Sequence, residues 1–246
     1  MHRPLLRLLP ALGLSILLPF NTAGADSRPN ILLIVADDLG YSDIAPFGGE
    51  IDTPHLADLA ERGVRLTQLH SAPSCSPSRA MLMSGADSHI AGLGAMAEAT
   101  PAHYQGVEGF EGALSSRVAS LSERFSQAGY KTAMSGKWHL GALDGQRPAQ
   151  RGFQSSFALL QGAADHFGEG GFGGDGDGMG GATYLQNDRP WSPAGNFYSS
   201  DVFTSKLIEQ LAQNDDGSPF FAYLSFTAPH SPLQAPQADI ERYADR

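Results

Sequence analysis

Two short stretches of this sequence put reactive side chains in unusual settings. Asp37 and Asp38 are adjacent acids that close the wholly apolar run Ile31–Ala36. Two like charges at a half-buried strand end repel, and desolvation adds to the cost unless a cation or hydrogen-bond donors neutralise them. A divalent metal answers that need, and carboxylate oxygens favour hard ions such as calcium or magnesium. The other reading lets one aspartate cap the following LGYSD turn and leaves its neighbour solvated, and the segment alone does not choose. Cys75 begins CSPSRAMLMSG, where Pro77 can set a first turn and Ser78 to Ser84 can continue as a helix stopped by Gly85. A side chain at such a start faces the positive end of the helix dipole and unpaired amides, which favour an anionic form. Arg79 returns to the same face four residues later with a planar fork suited to anionic oxygens. These residues read equally as a thiolate nucleophile or as an ordinary helix cap.

Cysteine usage sharpens the question. The chain of 246 residues contains one cysteine, so it has no intrachain disulfide. Its first residues nevertheless place Arg3 and Arg7 before an apolar stretch from Leu8 to Phe20 and small residues ending at Ala25, the layout of a signal peptide over residues 1–25. That apolar run is broken by Pro10 and Pro19 and is short for a bilayer span, so the expectation is cleavage, export to the periplasm or exterior, and no stable membrane association. A solitary thiol in an exported protein calls for an explanation other than cross-linking. The formal net charge of -10, with no basic run after the leader, disfavours nucleic acid as a partner without excluding a small anionic substrate.

The elements that would position these groups alternate between strand and helix. Ile31–Ala36 reads as a buried parallel strand covered on both faces. A short helix follows in DTPHLADLAERG, with Thr53 as N-cap, Pro54 at the first position, Leu56, Leu59 and Ala60 on one face, and Gly63 as the stop. Ser120 and Glu123 spell a capping box before Leu121 and Phe125, and Gly129 ends that helix ahead of a strand around Thr132 to Met134. A third helix is expected from an Asp201 cap through Phe203, Leu207, Ile208 and Leu211, and FFAYLSF at Phe220 to Phe226 reads as another strand. The glycine-rich run 162–181 reads as a surface loop, and its single GGDGDG piece lacks the period of a calcium-binding repeat. Strand and helix in alternation predict an α/β domain over residues 26–246.

The sequence then becomes specific by resemblance. CSPSR resembles the sulfatase signature CxPSR, whose cysteine that family oxidises to formylglycine. NILLIVADDLG, TPHLADLAERGVRLTQLHSAPSCSPSRAMLMSG, AGYKTAMSGKWHLG and FAYLSFTAPHSPLQAP resemble the family's successive signature blocks, in order. The resemblance implies an alkaline-phosphatase-like fold, a mixed and largely parallel sheet flanked by helices. It also implies a sulfuric ester hydrolase of arylsulfatase type acting on a small or aryl sulfate, with a formylglycine-generating enzyme as partner. Asp37, Asp38 and the modified Cys75 would bind the metal, calcium in preference to magnesium. Arg79 would hold the modified side chain, Lys137 would contact sulfate oxygens, His139 would hydrogen-bond the hydrated aldehyde, and His230 would sit near the leaving group.

Taken singly, His139 beside Trp138 reads as a packed loop residue and His230 between prolines as a turn donor; their matched blocks favour the functional reading. His55, His70, His89, His103 and His166 have no such support. The family's later strands, a further Asp/Asn metal pair and a second lysine are not found in this chain, so the expectation is an amino-terminal portion with weak activity or none by itself. A phosphate or phosphonate monoester hydrolase on the same scaffold, and a non-catalytic metal- or anion-binding protein, are the competing functions.

Overall fold

The computed structural model describes residues 28–168 and 181–245. The leader and the GGDGDG run lie outside the described residues. Six strands form one sheet: β1 (Ile31–Asp37), β2 (Lys131–Lys137), β3 (Ser155–Leu159), β4 (Tyr184–Gln186), β5 (Arg189–Trp191) and β6 (Phe220–Pro229). Their order is β1-β6-β2-β3-β4-β5. The first four in that order run parallel, and β4 and β5 add an antiparallel edge. The helices are α1 (Pro54–Arg62), α2 (Cys75–Ser84), α3 (Leu121–Gln127), α4 (Ser199–Leu211) and α5 (Gln237–Arg242).

Strand alternation divides the core into two layers. Phe221 and Tyr223 of β6 share one layer with Met134, Phe153, Ala80 and Met83 of α2, and the partly buried Leu121 and Phe125 of α3. Ala222 and Leu224 face the other way, with Phe157, Leu159, and Phe203 and Leu207 of α4. The sheet is thus covered on both faces at β6, the α/β arrangement expected from the sequence.

Local signals account for much of this. The α3 capping box is complete: the Ser120 hydroxyl accepts from Glu123 N, and the Glu123 carboxylate accepts from Ser120 N. Gly85 closes α2 in the left-handed region, and its N–H donates to Met81 O. Three local expectations change. Thr53 stands at the N-cap of α1, yet its hydroxyl accepts from Ala45 N across a loop instead of capping. Asp201 lies inside the first turn of α4, which starts at Ser199 after Tyr198, so it meets the helix dipole as an acidic first-turn residue. β1, read as a strand covered on both faces, lies at one end of the sheet formed by the described residues; Leu32 and Ile34 are 52% and 51% exposed while Ile31, Leu33 and Val35 pack on the core. The apolar face of α1 is likewise open, with no buried residue in that helix.

A close backbone approach in the sheet lies just before Lys137. Gly136 has φ +118°, and a Cβ there would lie 1.8 Å from Ser225 O of β6. Any side chain must therefore part β2 from β6 where both deliver site residues. Gly136→Ala is expected to cost about 3 kcal/mol or more, from left-handed strain plus the backbone clash. A urea denaturation midpoint unchanged from the parent protein would contradict that close approach.

Candidate active site

The carboxyl ends of β1, β2 and β6 and the start of α2 converge on one cluster. Asp37 is the last residue of β1, Lys137 the last of β2, and Ser225 lies late in β6. Lys137 and Asp37 are both buried, at 0% and 4% exposure, and Lys137 Nζ donates to Asp37 Oδ2 at 2.5 Å. Arg79 rises from the second turn of α2 into the same space. Its Nη2 lies 3.2 Å from Asp37 Oδ1, a charge contact outside hydrogen-bond alignment, since that nitrogen has no hydrogen-bond partner. Nη1 donates to Tyr223 Oη at 3.0 Å, to Lys137 O at 3.3 Å, and to Ser225 Oγ. Burial alone would raise the carboxyl pKa of Asp37, but the Arg79 and Lys137 charges outweigh it and hold it below the usual range.

This pairing supplies protein cations for one of the two acids. Asp37 is faced by two buried basic side chains, Lys137 and Arg79. The two adjacent aspartates also separate: Asp38 adopts φ +62°, and its side chain is 64% exposed, 3.7 Å from His230 Nε2. Among the described residues no group of three or more His, Cys, Asp and Glu side chains is placed to hold a metal.

Cys75 is the first residue of α2, two residues earlier than the Pro77 start expected, so it stands directly at the positive end of the helix dipole. Its Sγ lies 3.3 Å from His139 Nδ1 and 3.6 Å from Met96 Sδ. Burial pushes the thiol pKa up, but the His139 hydrogen bond and the nearby Lys137 charge outweigh it, and the net shift is downward. His139, two residues beyond β2, takes an uncommon left-handed backbone, φ +53°. Burial disfavours its charged form; hydrogen bonds to Cys75 and Glu98 reverse that and raise its pKa.

The structure thus brings Cys75, Arg79, Lys137, His139 and Asp37 into one contact network. His230 and Asp38 pair beside it in a more exposed position. Sequence reasoning missed three supporting groups. Glu98 accepts from His139 Nε2 at 3.0 Å; Tyr223 and Ser225 accept from Arg79. The buried His166, assigned no role, contacts Ser199 Oγ at 2.8 Å through Nδ1 and donates from Nε2 to His230 O at 3.1 Å, tying α4 to the His230 loop. Alternation marks Tyr223 and Ser225 as one face of a strand, while a lone glutamate in GLGAMAEAT carries no signal.

With this geometry in hand, known proteins are informative. The sulfatase family profile matches residues 29–246. The chain belongs to the sulfatase family. An uncharacterised sulfatase of Schizosaccharomyces pombe is 48% identical over 238 residues, covering 92% of this chain and 42% of the relative. An arylsulfatase of Klebsiella aerogenes is 41% identical over 228 residues, covering 90% of this chain and 47% of the relative. The crystal structure of Ps i-CgsB superposes with a TM-score of 0.69 at 26% identity, over 88% of this chain and 48% of that one. The sulfatase-family chain therefore spans less than half the length of these relatives.

Two measurements probe the network. Asp37→Asn leaves Lys137 and Arg79 buried without their counter-charge and is expected to cost about 3–5 kcal/mol. The folded pKa of Asp37 lies below its unfolded value, so this contribution is present above the unfolded value and is lost as pH falls through the folded one. Denaturation midpoints at neutral pH and at successively lower pH should converge for parent and variant; a constant gap would refute the pairing. For the thiol, the pH profile of iodoacetamide alkylation at Cys75 should lie below that of a free thiol and shift upward in His139→Ala.

Proposed function

We propose that the protein containing this chain hydrolyses sulfate monoesters, with residue 75, oxidised from cysteine to formylglycine, as the nucleophile. The observation that carries this reading is the placement of Cys75: at the positive end of α2, in contact with His139, beside the buried Lys137 and Arg79 cations, in a chain of the sulfatase family. Cleavage of a sulfate ester puts negative charge on the sulfuryl oxygens and the departing oxygen, and fixed cations stabilise that charge better than reorganising water.

The hydrated aldehyde supplies one hydroxyl as nucleophile and a second through which sulfate can be expelled, an exit that an unmodified serine or cysteine lacks. Lys137 is proposed to contact the sulfuryl oxygens. Arg79 points to the strand ends, which supports a role in anchoring the start of α2 and the modified side chain. His230, half-buried beside Asp38, can donate a proton to the departing oxygen. His139 Nδ1 faces residue 75, where it can accept a hydroxyl proton as sulfate leaves.

Calcium bound by Asp37, Asp38 and the modified residue 75 belongs to the same proposal. The donor chemistry fits a hard ion, but two carboxylates fall short of the roughly six to eight oxygens calcium takes, so the described residues fit part of a shell. No step above depends on it. The substrate is proposed to be an aryl or small organic sulfate, in keeping with the name of the Klebsiella aerogenes relative. The modifying enzyme is the proposed protein partner, and the leader-like residues 1–25 support export; among the described residues no helix is long and apolar enough to cross a membrane.

Mass spectrometry of the Cys75 peptide from the native host is expected to show an aldehyde, whereas an intact thiol would favour a binding protein. A full-length relative of this chain should turn over an aryl sulfate faster than the matched aryl phosphate; the reverse order would favour the phosphate or phosphonate hydrolase reading.

A further inference from the structure

Three contacts fix the His139 ring. Nδ1 faces Cys75 Sγ at 3.3 Å, and Nε2 lies 3.0 Å and 3.3 Å from the two Glu98 oxygens. On the third side Gly162 is so close that a Cβ there would lie 2.5 Å from His139 Cε1. Glu98 sits on the one-turn helix at Ala97–Ala99, and Met96, just before that turn, touches Cys75. One loop therefore touches both members of the pair. A carboxylate is an acceptor only, so the nitrogen it meets must carry the ring proton; in the neutral ring that leaves the other nitrogen as an acceptor.

We infer that Glu98 is a positioning residue that accepts a hydrogen bond from His139 Nε2 and so holds the ring with Nδ1 turned to residue 75 as its proton acceptor. This rests on the sulfatase reading for its purpose and not for its geometry. Exchange of the acid for an amide keeps an acceptor oxygen in place, whereas alanine removes it and lets the ring turn. The geometry resembles that by which an outer carboxylate orients a metal-bound histidine, where such partners tune function through the ligand they hold.

The test needs no turnover and uses the full chain with residue 75 still a thiol. At pH 7, Glu98→Ala is expected to slow alkylation of Cys75 by iodoacetamide about as much as His139→Ala does, by roughly tenfold, and to add nothing in the double variant. The His139 Nε2 proton should give a downfield NMR resonance that Glu98→Ala abolishes and Glu98→Gln retains. Glu98→Gln should also stay within about twofold of the parent alkylation rate, because its amide oxygen still accepts. Additive effects, an unchanged resonance in Glu98→Ala, or loss of the resonance in Glu98→Gln would overturn the assignment. If Glu98→Ala does not fold, the Glu98→Gln arm decides alone. Failure of the sulfatase reading would appear separately, as an intact thiol in the native host with these readouts unmoved.

Discussion

The buried contact of Asp37 with Lys137 and Arg79 is the constraint around which this sulfatase-family chain is arranged. Each partner comes from a different element: Asp37 from the end of β1, Lys137 from the end of β2, Arg79 from α2. Since β6 lies between β1 and β2, the ion pairs bridge across a strand, and Arg79 also binds Tyr223 and Ser225 on β6 itself. Removing one member leaves a charge in a dry interior, which is far costlier than any surface pair. The network therefore fixes where the strand ends lie relative to the start of α2, and with it the position of Cys75. A crevice at the carboxyl ends of parallel strands is where α/β sheets ordinarily hold ligands, and here the backbone and the charges agree on that location.

Close packing serves the same end. Gly136 allows β2 to approach β6 just before Lys137, and Gly162 leaves room for the His139 ring. Neither glycine does chemistry. Each permits a charged or imidazole side chain to be held by neighbours on several sides, which is how a site on strand ends gains precision over one on free loops.

What the sequence disclosed was local. The α3 capping box, the Gly85 stop and the apolar runs of β1 and β6 were legible because each signal lies within a few residues of its effect. The signature blocks identified the residues that would converge without giving their contacts. The protein partners of Asp37 were hidden because Arg79 and Lys137 lie 42 and 100 residues away, beyond the reach of any local signal. Thr53 and Asp201 show the same limit at smaller scale: both belong to helix starts, but tertiary contacts or register decide whether they cap. Glu98 left no trace at all, because a single acid has meaning here only through the ring nitrogen it meets.

The site divides into two halves with different freedom. Asp37, Lys137 and Arg79 are buried and paired by charge, so they act as fixed charges. Asp38, Glu98 and His230 are partly exposed, so solvent reaches them. In the sulfate esters proposed as substrates, the sulfate group keeps one tetrahedral form while the alcohol varies. On that proposal, fixed charge would suit the invariant part, and adjustable, wetter groups the variable part. His139 joins the halves: its Nδ1 faces the half-buried Cys75 and its Nε2 the more open Glu98, so the loop carrying Glu98 can influence residue 75 without entering the buried network.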